Sequence, residues 1–274
     1  MMQVGGERSA RSNLLRELLE QYYVRYYRDT LGLPDWDAKV AGRLREEEVE
    51  AMRIQSVADI VGRPLRGMRV LNLGCGTGGF NVAADGAGAE SWGIDTSVDA
   101  IRICTLRREL GSGGRYMTAA AEALPFRDGT FDLVYCLSTL EHVMEVEAAV
   151  REMVRVLGSG GVLMLYAPNS WALYESHYKI FWPPLALTPR AVLGLYLRLR
   201  GRPSGFARSL NRLSVTKCVD LLRRAGASIV EPFGLATVDG VGAGLGARAL
   251  RLYYRALRIE PAIQLVARKG TTRP

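Results

Sequence analysis

Leu14, Leu15, Leu18, Leu19, Tyr22, Tyr23 and Tyr26 recur at helical spacing and predict a helix over 9–28. Leu31-Gly32-Leu33-Pro34-Asp35 breaks it. A second helix is expected over 37–61, where the charged run Arg45–Glu50 reads as a solvated face. From residue 69 the pattern changes. Short apolar runs at Val70–Leu73, Trp92–Asp95 and Phe131–Cys136, with one before Ala121 and a fifth at Val162–Tyr166, alternate with helical patterns at 79–85, 98–110 and 145–157. Strands alternating with helices predict an α/β domain with a mostly parallel sheet. A helix over 214–225 and strands at Ala227–Glu231 and Ile263–Ala267 complete the pattern.

Two segments stand outside this alternation. Residues 168–213 follow the fifth strand, and 234–261 contain Gly240, Gly242, Gly244 and Gly246, a flexible lead-in to a helix at 247–258. Because ligands of open α/β sheets sit beyond the carboxyl ends of the strands, 168–213 is the natural lid and acceptor-recognition insert. The organisation read from the chain is a helical cap over 1–62 and an α/β domain over 63–274 that carries this insert.

Composition changes the picture in two respects. No run of apolar residues is long enough to cross a membrane, and no signal-peptide core is visible, so the expected location is cytoplasmic. The four cysteines are widely spaced and read as reduced thiols. The net charge of +8 is uneven: residues 171–274 hold 17 basic against 5 acidic side chains. Such asymmetry points to an anionic acceptor or an anionic membrane surface touched peripherally, or else to a solvated basic face. Nucleic acid is the weaker alternative, because no added RNA-binding module is visible.

The candidate chemistry begins at Val70-Leu-Asn-Leu-Gly-Cys-Gly-Thr-Gly-Gly-Phe80, a strand, a glycine turn and a helix start, which together make a nucleotide-type binding corner. Gly74, Gly76 and Gly79 satisfy the dinucleotide pattern, with Asp95 at the expected distance. Gly74, Gly76 and Gly78 satisfy G-x-G-x-G instead. The ordered set of this turn, Trp92-Gly-Ile-Asp95, Ala121-Glu-Ala-Leu-Pro-Phe126 and Phe131-Asp-Leu-Val-Tyr-Cys136 leading to Leu140-Glu-His-Val143 favours the second parsing. The series resembles class I S-adenosylmethionine-dependent methyltransferases, in the branch with the ubiquinone, menaquinone and many natural-product O-methyltransferases.

That resemblance covers about 55–168 and implies a Rossmann-like sheet of seven strands with helices on both faces. It places Gly74, Cys75, Gly76 and Gly78 beside the methionine part of S-adenosylmethionine, Asp95 at the ribose hydroxyls with Thr96 next to it, Ala121 and Glu122 at the adenine, and Leu137 and Ser138 at the transfer site. Asn72 stands where the family usually has a carboxylate, near the amino group of the cofactor. Transfer to a hydroxyl benefits from a general base, and the two histidines, His142 after the fourth strand and His177 in the insert, are the candidates. Some relatives bind a divalent metal through Glu-x-x-Glu-His. Here the matching residues Ser138-Thr-Leu-Glu-His142 lack one carboxylate, so no metal is expected. The acceptor reads as a small molecule: a saccharide, lipid-linked or natural-product hydroxyl. The oligomeric state is not legible.

Overall fold

The computed structural model describes residues 2–231, 252–256 and 259–270. The expected glycine-rich stretch Gly240–Gly246 and most of the helix expected over 247–258 lie outside them. The chain begins with α1 (Met2–Val24), which continues into a π-helical turn at Arg25–Thr30, then α2 (Trp36–Arg43) and α3 (Glu46–Val61). The single helix expected over 37–61 is therefore two. The chain turns between them at Leu44 and Arg45, and the amides of both residues are hydrogen-bonded back to α2.

The α/β part runs β1 (Arg69–Leu73), α4 (Gly79–Gly86), β2 (Glu90–Asp95), α5 (Val98–Glu109), β3 (Arg115–Thr118), β4 (Phe131–Leu137), α6 (Val146–Val156) and β5 (Leu157–Pro168). The insert holds a two-stranded hairpin of β6 (Tyr174–Glu175) and β7 (Ile180–Phe181), followed by α7 (Arg190–Leu199) and α8 (Gly205–Ser209). The chain then forms α9 (Val215–Arg224), β8 (Ala227–Glu231) and β9 (Ala262–Lys269). The sheet has seven strands in the order β3-β2-β1-β4-β5-β9-β8. β3 to β5 are mutually parallel, whereas β9 runs antiparallel to both β5 and β8. This is the expected Rossmann-like, mostly parallel architecture.

Strand periodicity sorts the core into two layers. Leu71, Leu73, Val134, Cys136, Leu163 and Leu165 face α6 and α9. Val70, Leu133, Tyr135, Val162 and Met164 face α3 and α4, where Phe80 stacks on Tyr135. A third core joins the cap to the insert: Leu19, Tyr23, Tyr27, Leu31 and Val40 pack with Tyr178, Leu193, Leu197 and Ala207. Cap and insert thus form one roof.

Two expectations need correction. The Gly158–Gly161 turn is absorbed into an irregular start of β5, with a register shift opposite Phe131–Leu133. The run Arg45–Glu50 is a solvated face only in part: Arg45, Glu47 and Glu48 are exposed, whereas Glu46 is not. Glu46 is only 6% exposed, because α3 turns it inward onto Arg107 of α5, itself 2% exposed.

Candidate active site

The carboxyl ends of β1, β2 and β4 meet under the roof. After β1 the chain makes its turn with positive φ at Gly74, Gly76 and Gly78. The reasons for glycine differ. A Cβ at Gly74 would collide with Thr139, whose hydroxyl donates to the Leu73 carbonyl at 3.0 Å. A Cβ at Gly76 would meet nothing within 4 Å. The backbone there borders open space, the property a close-approaching ligand requires.

Asp95 holds this turn. Its carboxylate accepts from the Gly76 N–H at 2.9 Å and from the Ser97 N–H at 2.8 Å, while the Ser97 hydroxyl caps α5 through Ala100. Capping of α5 by Ser97 does not leave Asp95 free. The structure ties each of its oxygens to one backbone amide instead, and the remaining lone pairs are what it has for a ligand. Thr96 is exposed beside it. Cys75 turns its thiol inward, against Gly93 and toward Cys104, so only its backbone faces the turn.

The other expected contacts are distributed unevenly. Ala121 is buried, and Glu122 accepts from the Met144 and Glu145 amides at 2.6 and 3.1 Å, bracing the start of α6. Leu137 ends β4, and Ser138 adopts φ 51°, a conformation non-glycine residues rarely hold outside functional corners. Asn72 points to the α4 face of the sheet. Its amide donates to Asn81 Oδ1 at 2.8 Å, and Asn81 donates to Ser91 at 3.1 Å. This buried chain occupies the Asn72 amide nitrogen.

The two histidines converge. Their rings lie 5.4 Å apart, and Phe206 of the insert contacts both at 5.3 Å. His177 Nδ1 is 2.9 Å from Glu175 Oε1, and its Nε2 is 3.7 Å from Glu141 Oε1. Burial works against charge on His177, yet Glu141 and Glu175 overcome it and push its pKa up to about 9. It is an imidazolium at neutral pH. His142 goes the other way: burial holds its pKa below the ordinary value, against the pull of Glu141. With 33% of its side chain exposed it remains reachable.

Glu141 was not singled out by the sequence. It is 2% exposed, and neither carboxylate oxygen accepts a hydrogen bond among the described residues. Such a burial is costly unless charge lies nearby, which the His177 cation supplies. Glu141, His142 and His177 bring one ligand atom each within 4.8 Å of one another. The set nevertheless suits a hard divalent cation poorly, having one carboxylate and two imidazoles, and a softer ion would have to displace the His177 proton.

α1 closes the site from above. Tyr22 faces Asp95 and Ser97, and burial, aided by the Asp95 charge, pushes its phenol up to about 12. Tyr26 packs edge-on against Phe206. Beside His177 lies a narrow cleft of about 20 Å³, lined by Glu141, Asn169, Tyr174, Glu175, His177 and Asn211. The insert arginines do not line it. Arg190 donates to the Leu210 carbonyl and Arg202 to the Tyr178 carbonyl, each at 3.0 Å, and Arg212 to that of Thr188. Arg198, Arg200 and Arg208 face outward. The cleft is therefore lined by carboxylates, amides and His177 rather than by the insert arginines.

Comparison with known proteins agrees with this geometry. Residues 71–165 match the family described as a methyltransferase domain. A ubiquinone biosynthesis O-methyltransferase of Ralstonia nicotianae is 37% identical over 116 residues, which are 42% of this chain and 48% of that protein. Another, of Cupriavidus pinatubonensis, is 28% identical over 190 residues, 69% of this chain and 70% of that protein. The match thus spans about half the length of the first relative. Among solved structures, an S-adenosylmethionine-dependent methyltransferase from Mesorhizobium loti superposes with a TM-score of 0.55 at 20% identity, covering 78% of this chain and 96% of that one. That likeness establishes the fold.

Proposed function

We infer that this chain, whose core is a class I S-adenosylmethionine-dependent methyltransferase domain, transfers a methyl group to a hydroxyl of a small molecule held beneath the roof. The observation that best supports the reading is an uncharged, accessible His142 within reach of the Asp95 charge and 5.4 Å, ring to ring, from His177, which lines the cleft. The cofactor fits what is present: Gly76 borders open space, and Asp95 retains acceptor capacity at the end of β2. When bound, S-adenosylmethionine supplies an electrophilic methyl group.

The residues of the chain then have separable tasks. Asp95, Thr96 and the backbone of Gly74–Gly78 hold the donor, with Ala121 and Glu122 toward its base and Leu137 and Ser138 toward the reacting carbon. His142 would take the proton of the acceptor hydroxyl, and the bound donor would supply the methyl group. The products are a methyl ether, a neutral thioether and a protonated His142. Glu175 and Glu141 keep His177 charged and oriented, and that cation next to His142 opposes premature protonation of the base. Tyr22, Tyr26 and Phe206 exclude water from the reacting atoms. Incubating cell extract with isotopically labelled cofactor and enzyme, followed by mass spectrometry, tests the reading. A labelled methyl ether is the expected product, and label confined to unreacted cofactor refutes it.

The outer face of the insert supports one class of acceptor over the other. Val192, Leu195 and Leu199 of α7 are exposed while Leu193 and Leu197 are buried, and Phe181 and Leu187 add to the exposed apolar surface. Arg190, Arg198 and Arg200 lie on the same helix or at its end and face solvent. An apolar stripe with basic flanks is the pattern of an interfacial helix, so a lipid-linked hydroxyl presented at an anionic membrane is favoured over a saccharide. Among the described residues no helix is long and apolar enough to cross a membrane. Co-sedimentation with anionic vesicles at low salt is expected, and its absence removes the lipid-linked acceptor from this reading.

A further inference from the structure

Between the cap and the glycine turn lies a buried polar cluster that none of the tasks above uses. Arg107 of α5 donates from Nε to the Thr77 carbonyl at 2.8 Å and from Nη2 to Glu46 Oε1 at 2.6 Å, and it also pairs with Glu47. The Tyr23 hydroxyl of α1 donates to Glu46 Oε2 at 2.6 Å and lies 2.7 Å from the Thr77 hydroxyl, which itself donates to Glu46. Arg43 of α2 covers the Tyr23 ring, its guanidinium 5.4 Å from the centroid, and donates to the Tyr27 hydroxyl at 3.0 Å. Tyr23, Glu46, Thr77 and Arg107 are all buried, at 6%, 6%, 2% and 2% exposure.

The position of this cluster matters more than its size. Thr77 lies within the glycine turn, between Gly76, which borders the open space, and Gly78, the N-cap of α4. Gly79, the first residue of α4, lies so close to Glu46 that a Cβ there would sit 2.9 Å from its side chain. Both the carbonyl and the hydroxyl of Thr77 are thereby held by charged groups from outside the turn. The tyrosine on that side of α1, Tyr23, neighbours Tyr22, which faces Asp95. Removing two buried charges from water is unfavourable unless the partners are well placed. A cluster of this kind fixes one arrangement in preference to others, and the arrangement it fixes joins cap and turn.

We propose that Glu46 and Arg107 are positioning residues for the methyl donor: through Thr77 they lock the glycine turn to the helical cap, so that donor binding and cap closure are one coupled event. The proposal rests on the donor reading given above. Its consequence is an order of binding. The donor enters first and secures the roof, and the acceptor then meets a completed cleft. Coupling free energies of this type correspond to ~5- to 150-fold changes in affinity.

The test combines S-adenosylhomocysteine titration by calorimetry with amide hydrogen exchange over residues 14–30, for wild type, Glu46→Gln and Tyr23→Phe. In the wild type the ligand is expected to bind and to slow exchange over 14–30. Glu46→Gln is expected to bind it about tenfold more weakly. Tyr23→Phe removes only the hydroxyl link, so it serves where Glu46→Gln does not fold. It is expected to retain binding within severalfold and to lose most of the ligand-induced protection of 14–30. A purely structural cluster would lower stability equally with and without ligand and leave that protection intact, which would overturn the coupling. So would wild-type binding without any change over 14–30. Wild-type protein that does not bind S-adenosylhomocysteine at all would overturn the donor reading, and this proposal with it.

Discussion

His142 and His177 come from different parts of the chain, yet their rings meet at 5.4 Å across an edge-on contact, with Phe206 against both. One is held neutral and the other charged. A pair whose environments separate its protonation states is how one site divides base from cation. The first prediction follows from that division. His142→Ala is expected to lower kcat by ~10²- to 10⁴-fold while leaving S-adenosylhomocysteine affinity within a factor of two or so of wild type. Single-turnover rates with calorimetric titration check both halves, and an unchanged kcat removes His142 as the base.

The same pair predicts opposite pH responses. The His142 pKa is lowered, so its base form persists below the usual histidine midpoint, and activity is expected to rise with an inflection under pH 6.5. The folded pKa of His177, about 9, lies above its unfolded value. The stability it contributes is therefore fully present below the unfolded pKa and is lost as pH rises through about 9. Thermal midpoints measured from pH 6 to 10 are expected to fall between the ordinary histidine value of 6.5 and about 9 and to level off above it. In His177→Gln that fall should flatten, whereas an unchanged slope would show that another group titrates.

Gly74 and Gly76 supply a contrast within one turn. Gly74→Ala places a methyl on Thr139 and is expected to lower the thermal midpoint, because a strained backbone and an overpacked contact each cost ~1–3 kcal/mol. Gly76→Ala meets only open space. It should cost ~1–2 kcal/mol for its left-handed backbone and weaken S-adenosylhomocysteine binding severalfold or more. Scanning fluorimetry with and without ligand separates the two. Equal ligand affinity in Gly76→Ala and wild type would mean that the open side of the turn is not the donor site.

Much of this was legible before the fold was known. The strands of the parallel sheet announce themselves as short apolar runs, and Gly74, Asp95 and His142 fall at strand ends because that is where the chain turns. What was not legible depends on distant partners. Glu46 sits in a charged run that looks solvated, and only Arg107, 61 residues away, explains its burial. Glu141 and His177 meet because the insert folds back beneath the cap, a contact no spacing encodes. The partners of the insert arginines were hidden for the same reason: charge can be counted from sequence, but the carbonyls that accept from Arg190, Arg202 and Arg212 cannot.

The donor set at Glu141, His142 and His177 makes metal dependence a sharp test. A proton on His177 and a bound cation compete for one nitrogen, and the proton is held up to about pH 9. Turnover is expected to be unchanged in excess chelator at pH 7. Activity that disappears with chelator and returns with one divalent ion would reassign these three residues as ligands.

Asn72→Asp separates two accounts of the same residue. If Asn72 faced the donor, a carboxylate there would attract the donor's ammonium group and tighten binding. In the structure the Asn72 amide donates to Asn81 Oδ1, and the Asn81 amide donates in turn to Ser91, all three residues being buried. An aspartate would oppose an acceptor to an acceptor. Reversing the Asn81 amide would relieve that conflict, with the Ser91 hydroxyl then donating to Asn81 Oδ1 in place of its 3.4 Å bond to the Asn81 carbonyl, but a carboxylate charge would still replace a neutral amide in the core. An unmet polar group in the core costs ~1–3 kcal/mol, more when charged. Asn72→Asp is therefore expected to lower stability by at least that amount without a gain in S-adenosylhomocysteine affinity. Denaturant unfolding paired with calorimetry decides it, since tighter binding in a protein of undiminished stability would place Asn72 at the donor after all.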